Sequence, residues 1–226
     1  MATLICASIL PGAARAQAPA DDGALKLSGD VRLLSGAPGD PVYGSLTAEK
    51  GIREGRSVVV RVVVSEKKTY SGDGFRILHG GNDAEIALRE KRGGGVWEIG
   101  LARPDTAERQ NYLQGTLRYR TERGRWILEP RAVFSKGGTL AGVGVRRESP
   151  WGADRTVFVE ATPVIVGNND RSLATGNSRR TALWGVGVRH KNLTLGVTNA
   201  LGATTGMSLT PQLRGAAIFV RVEVIR

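Results

Sequence analysis

Strict alternation of polar and apolar residues is the feature that most constrains the fold of this chain. Residues 116–134 read TLRYRTERGRWILEPRAVF. Arg118 and Arg120 precede a short polar hinge, Glu129 and Arg131 follow it, and these four charges fall at alternate positions with apolar or aromatic residues between them. Because side chains of a strand point alternately to its two faces, the segment predicts a β-hairpin with one charged and one apolar face.

The same period of two recurs from residue 25 to the end of the chain, and no window of helical length shows apolar residues at helical spacing. The sequence therefore predicts an all-β protein in one domain. We predict about 12 strands, with boundaries uncertain by about 2–4 residues. They are residues 25–34, 42–50, 56–66, 82–91, 95–103, 113–121, 125–135, 138–147, 155–166, 181–190, 193–199 and 214–225.

The connections between the predicted strands alternate in length. Tight turns such as KRGGG, TERGR and HKN follow even-numbered strands, whereas long polar loops such as KKTYSGDGFRILHGG, ARPDTAERQN and GNNDRSLATGNSRR follow odd-numbered strands. The SKGG turn after Phe134 is an exception. Short turns at one rim and long loops at the other are typical of an up-and-down antiparallel β-barrel, which is the fold class we predict.

One face of the predicted strands carries nearly all of the strand charges, and the other carries none in the strand middles. The apolar face includes Val60, Ile86, Ile99 and Leu128. The charged face holds eight arginines and six acidic residues, which we predict to line the lumen of the barrel: Arg61, Asp83, Glu85, Arg89, Glu98, Arg118, Arg120, Glu129, Arg131, Arg146, Glu160, Arg189, Arg221 and Glu223.

Periodicity alone does not decide which face meets water, because a soluble barrel or sandwich alternates in the same way. Small residues interleave the charged face, namely Gly142, Gly144, Gly185 and Gly187, as a crowded interior requires. The large aromatics lie near predicted strand ends, as in the interfacial girdles of membrane barrels: Trp97, Tyr119 and Trp126 beside short turns, and Tyr112, Phe134 and Trp184 beside long loops. These features favour a barrel with lipid outside.

The N-terminus has the form of an export signal. Residues 1–23 read MATLICASILPGAARAQAPADDG, an apolar stretch followed by small-residue cleavage sites. We expect a signal peptide over residues 1–16 and a single barrel domain over 17–226. Cys6, the only cysteine, then leaves with the signal, so no disulfide framework is expected.

The chain resembles the bacterial outer-membrane β-barrel class. The resemblance is carried by the alternating strands of TLRYRTERGRWILEPRAVF and TALWGVGVRHKNLTLGV. The resemblance implies a protein of the outer membrane that contacts its lipid and is not an enzyme. It acts either as a narrow pore or in a structural, anchoring role, and the excess of arginine in the predicted lumen favours anions weakly. The oligomeric state is left open.

Two other functions remain as alternatives. The first is a secreted or periplasmic soluble β-barrel or sandwich that binds an acidic ligand, in keeping with a formal net charge of +11. The second is an outer-membrane hydrolase, since His79 has Asp73 and Asp83 nearby on a predicted loop. No nucleophile is specified, so we predict no catalytic residue, and no cofactor or metal site is expected.

Three arginines on one predicted long loop form the remaining candidate site. Arg171, Arg179 and Arg180 carry guanidinium groups that bind phosphate in a bidentate manner. We predict a contact with the phosphates of lipopolysaccharide there. Nucleic acid is not an expected partner, because the aromatics lie on the apolar face and the signal directs export.

Overall fold

The computed structural model describes residues 23–35, 42–69, 78–103, 113–136, 138–171, 178–199 and 216–225. All regular secondary structure in these ranges is β-strand. The strands are β1 (Leu25–Ser35), β2 (Val42–Arg53), β3 (Arg56–Thr69), β4 (Leu78–Arg92), β5 (Gly95–Arg103), β6 (Gln114–Arg123), β7 (Trp126–Ser135), β8 (Gly138–Pro150), β9 (Arg155–Thr162), β10 (Val164–Val166), β11 (Asp170–Arg171), β12 (Ser178–Arg179), β13 (Leu183–His190), β14 (Leu193–Thr198) and β15 (Ala217–Ile225).

The sheet closes on itself. Strands β1 to β9 pair in sequence order, β9 then pairs with β13, and β13, β14 and β15 continue the order until β15 pairs with β1. Every pairing is antiparallel, so twelve strands form a closed up-and-down barrel. Strand β10 is an extension of β9 that also pairs with β8. The predicted fold class is confirmed.

Glycine makes the tight turns at one rim of the barrel. Gly55, Gly93, Gly94 and Gly124 all have positive φ, a backbone conformation that a side chain would strain. Both described chain ends lie at this rim, because Gly23 donates a backbone hydrogen bond to the Gly51 carbonyl and Ile225 pairs with Ser28. We call it the short-turn rim and the opposite end the long-loop rim.

Proline explains two irregularities in the wall. The β6–β7 ladder runs to Arg118 opposite Arg131 and resumes at Thr121 opposite Leu128, because Pro130 lies between and has no N–H to donate. Pro163 separates β9 from β10, whereas the sequence predicts one strand over 155–166.

Other predicted strand boundaries shift by a few residues. The strand predicted at 82–91 spans Leu78–Arg92, and the strand predicted to start at 181 starts at Leu183. A short β11–β12 ladder lies inside the predicted loop 167–180. No helix in the described ranges is long and apolar enough to cross a membrane.

The two faces of the wall differ in the way that the alternation predicts. Large apolar side chains are exposed on the outer face, including Leu46, Val60, Ile86, Leu88, Ile99, Leu101, Val159, Val186, Leu195, Ile218 and Val222. The inner face buries acids, arginine and apolar side chains of different sizes, including Asp30, Glu49, Val59, Arg61, Glu85, Ala87, Glu98, Ile127 and Phe158. The apolar surface therefore faces outward and the charges face the lumen.

Candidate functional site

The lumen is the candidate site, because the described charges converge there. All the predicted lumen residues except Asp83 have described side chains, and each of these is buried or half-buried and ion-paired. The Asp83 side chain lies outside the described part.

Glu98 is the centre of the densest group of charges. Its carboxylate lies 2.5 Å from Arg61 Nη2, 2.8 Å from Arg118 Nη1 and 3.0 Å from Arg89 Nη2. These three arginines come from β3, β6 and β4, so a single carboxylate on β5 links four strands. Hydrogen bonds to a charged acceptor are stronger than those between neutral groups, and burial strengthens them further.

Two further glutamates complete this group. Glu85 accepts hydrogen bonds from Arg61 at 3.0 Å, from Arg118 at 2.9 Å and from the Thr116 hydroxyl at 2.7 Å. Glu49 accepts from Arg89 and from the Ser57 hydroxyl. We name these three arginines and three glutamates the charged wall: Glu49, Arg61, Glu85, Arg89, Glu98 and Arg118.

The remaining lumen charges form smaller pairs around the barrel. Arg131 Nε lies 2.7 Å from Glu129, and Arg120 lies 3.8 Å from the same carboxylate. The other pairs are Arg146 with Glu148 and Glu160, Arg189 with Glu148, and Arg221 with Asp30 and Glu223.

The sequence prediction missed three of these acids. Glu148 was excluded because the predicted strand ends at residue 147, whereas β8 extends to Pro150. Asp30 and Glu49 occupy inward-facing positions of β1 and β2. The alternation of polar and apolar residues around them is the sequence signal that identifies them. With these three, the described inward charges comprise eight arginines, Lys26 of β1 and eight carboxylates, a smaller excess of positive charge than the sequence count gave.

The described ion pairs run along the wall of the barrel. Each one joins side chains of one strand, of adjacent strands, as for Arg146 with Glu160, or of strands separated by a single strand, as for Arg89 with Glu49. None of the ion pairs given above links opposite sides of the lumen. The pairing therefore lines the lumen and does not bridge it.

The wall from β8 to β15 has a different construction. Gly144, Gly185, Gly187 and Gly196 are inward positions, and a Cβ atom at Gly187 would meet the Phe158 ring at 2.9 Å. A Cβ atom at Gly196 would likewise meet a ring, that of Phe219, at 2.6 Å. Glycine thus makes room for large inward side chains, as the sequence predicts for Gly144, Gly185 and Gly187. We name these four glycines and two phenylalanines the glycine wall.

The two histidines lie at or near strand ends. His79 lies in β4 and not in a loop; its side chain and all of Asp73 are outside the described part. His190 ends β13 beside the tight turn, with Nδ1 3.2 Å from the Asp154 carbonyl oxygen. The described residues contain no group of three or more side chains that could hold a metal ion.

The predicted phosphate contact on the long loop stays a prediction. Arg180 is exposed, and its Nε donates a hydrogen bond of 3.1 Å to the Gly167 carbonyl. The side chains of Arg171 and Arg179 lie outside the described part.

No protein-family model and no curated protein matches the sequence. Among solved structures, the chain is similar to one titled Salmonella typhi OmpF complex with Daunomycin, with 8% identity over 89% of this chain and 97% of that chain and a TM-score of 0.38. It is also similar to a mutant Rh. blastica porin, with 11% identity over 89% and 99% and a TM-score of 0.35. At these values the similarities carry no information about function. The closed barrel, its inverted polarity and its alternating connections themselves give the chain the architecture of the outer-membrane β-barrel class.

Proposed function

We propose that the protein is a bacterial outer-membrane β-barrel whose lumen forms a narrow pore. The observation that carries the proposal is the inverted polarity of the wall. Ile99 on the outer face is 61% exposed, whereas Arg61 on the inner face is 6% exposed and fully ion-paired. Lipid is the solvent that makes both placements favourable.

The soluble alternative conflicts with this polarity. In water, each exposed Leu, Ile or Val forgoes about 1.5–3 kcal/mol of burial free energy, and the outer face carries many of them. A continuous exposed apolar surface on a soluble monomer is a site of association or aggregation. A secreted or periplasmic barrel or sandwich that binds an acidic ligand is therefore the weaker candidate.

A pore is favoured over a sealed barrel because the ion pairs given above run along the wall, between side chains of the same strand or of strands at most two apart. Twelve strands enclose a lumen wider than that of an eight-stranded barrel, which side chains fill, and narrower than that of a sixteen-stranded porin. Nine cations, the eight arginines and Lys26, face eight carboxylates in the described lumen, so we propose weak ion selectivity. The preference for anions expected from the sequence count becomes smaller with this near-balance.

A structural or anchoring role is the second candidate. It is favoured by the charged wall, where the side chains of Arg61 and Glu85 are only 7% and 0% exposed, so that this side of the lumen presents few free charges to a solute. In that role the long loops would contact partners. We propose no catalytic activity for either candidate.

Membrane association and conductance test the proposal in two steps. The protein should require detergent for extraction and should change its gel mobility on heating, as a folded membrane barrel does. Water-soluble protein without such a shift would refute the membrane assignment. Purified protein should then give small, stable current steps in planar bilayers, whereas membrane insertion without conductance would leave the anchoring role.

A further inference from the structure

We propose a binding site for the headgroup of an anionic phospholipid on the outer surface of the short-turn rim, built by Arg123, Arg125, Arg147 and Arg155 with Trp126 and Trp151. The site rests on the proposed membrane location of the barrel. The site lies on the outer face of the wall, so it is separate from the lumen. It lies at the short-turn rim, whereas the predicted lipopolysaccharide contact lies at the long-loop rim.

Three neighbouring strands bring the central residues together. Arg123 of β6 is the register partner of Trp126 of β7, and Trp126 is in turn the partner of Arg147 of β8. Adjacent strands lie about 4.8 Å apart, so the two arginines flank the indole ring across roughly 10 Å. The Arg147 guanidinium lies over the Trp126 ring, 5.4 Å from its centroid.

The β8–β9 turn adds a second pair of the same kind beside the first. The Arg155 guanidinium lies 5.6 Å from the centroid of the Trp151 ring. The Trp151 N–H donates a backbone hydrogen bond of 2.9 Å to the Arg155 carbonyl, which holds the two residues together. Both tryptophans are exposed, as are all four arginines.

These arginines differ from those of the lumen in their partners. Every one of the eight lumen arginines is ion-paired, whereas Arg123, Arg125, Arg147 and Arg155 make no ion pair with a carboxylate in the part of the chain that the structure describes. Glu122, which precedes Arg123 in the sequence, pairs with Arg120, and Glu148, which follows Arg147, pairs with Arg146 and Arg189. Stacking on an indole ring leaves the guanidinium N–H groups available, and these bind phosphate in a bidentate manner.

The position of the site selects its ligand. The four arginines border the exposed apolar band, so a ligand there has its acyl chains against the band and its charged group at the rim. In barrels of this architecture the short turns face the periplasm, where the adjacent leaflet is phospholipid. Tryptophan is enriched at headgroup level. An anionic phospholipid such as phosphatidylglycerol meets each of these requirements.

Quenching of tryptophan fluorescence by brominated lipids tests the site. The folded protein is reconstituted in mixtures of brominated phosphatidylglycerol and phosphatidylcholine, and the relative binding constant of the anionic lipid is measured. We expect the wild type to prefer phosphatidylglycerol, and the Arg123→Gln/Arg147→Gln double variant to lose roughly fivefold of that preference per arginine removed. The Arg123→Lys/Arg147→Lys double variant should retain most of the preference for phosphatidylglycerol that comes from charge, and should lose the share that comes from bidentate hydrogen bonds to the phosphate.

Arg103→Gln is the matched control, because Arg103 is an exposed arginine on β5 at the long-loop rim. It should change the binding constant less than twofold, and conductance should be the same in all variants. Equal quenching by the two lipids in wild type, or equal losses in the control and the double variant, would overturn the site while leaving the barrel intact. Failure to enter bilayers of either lipid would instead overturn the proposed function.

Discussion

The inner and outer faces of the barrel wall are made by the same strands, yet they show opposite relations between polarity and exposure. On β5, Glu98 is 6% exposed and is held by three arginines, while its neighbour Ile99 is 61% exposed. A soluble protein shows the reverse order. The order on β5 is the one expected if the two faces meet different solvents, as the proposed membrane location requires. Each charge on the inner face needs a partner because it lies in a crowded, partly dehydrated space.

The largest expected effect comes from removing the central carboxylate of the inner face. Glu98→Gln leaves Arg61, Arg89 and Arg118 with one acceptor fewer, and breaking such a buried pair typically costs about 3–5 kcal/mol. Unfolding by urea from lipid vesicles should show a loss of this size. Glu122→Gln is the control, since the Arg120–Glu122 pair is exposed and such pairs contribute about 0–1 kcal/mol. Equal losses in the two variants would contradict the role of Glu98.

The next effect comes from placing a charge on the outer face. Ile99→Arg puts a cation on the outer face at the middle of β5, where the cost is about 2–4 kcal/mol near the bilayer midplane. Folding into vesicles, followed by the heat-dependent gel shift, should fail or become much slower. Ile99→Leu keeps the apolar surface and should fold normally. Normal assembly of Ile99→Arg would mean that lipid does not contact this face.

A smaller effect separates two glycines on opposite faces. In Gly187→Ala the new Cβ would lie 2.5 Å from the Leu195 carbonyl and 2.9 Å from the Phe158 ring, so overpacking should destabilise the barrel by about 1–3 kcal/mol. Gly115→Ala is the control, because its Cβ would meet Phe134 at an ordinary 3.7 Å. Urea unfolding midpoints of the two variants measure the difference. A larger loss at Gly115 would mean that the inner glycines are not close-approach positions.

Much of this comparison could be predicted from the sequence, because strand parity is local. The alternation around Arg118 and Glu129 placed these residues on one face, and the tight turns placed the glycines that need positive φ. The partners of each charge could not be predicted. Arg89 pairs with Glu49, two strands away and 40 residues apart, and such contacts depend on register and barrel closure, which involve the whole sheet.

Strand ends were the other source of error, since they depend on tertiary pairing. Glu148 lies beyond the predicted end of its strand, yet pairing with β9 extends β8 and turns this carboxylate toward Arg146 and Arg189. The near-balance of charge in the described lumen could therefore not be predicted from the sequence alone.

The smallest effect on stability is expected for Glu129→Gln, which still alters the lumen. The Glu129 side chain is 19% exposed and pairs with Arg120 and Arg131. Glutamine keeps its size and still offers an acceptor to these arginines, so the variant should assemble and should shift ion selectivity toward anions. Reversal potentials under a salt gradient in planar bilayers measure the shift. An unchanged reversal potential in a conducting variant would place the ion path away from Glu129. If neither wild type nor variant conducts, the anchoring role survives and the pore does not.

Labelling of single cysteines along β7 tests the central assignment of the two faces most directly. In a Cys6→Ser background, cysteine is placed at Leu128, Glu129, Arg131 or Ala132 and labelled with a fluorophore in the reconstituted protein. We predict that spin-labelled lipid quenches the fluorophore at 128 and 132, whereas a water-soluble quencher acts at 129 and 131. Lipid quenching at 129 and 131, or the absence of lipid quenching at all four positions, would contradict a barrel with lipid outside and charge within.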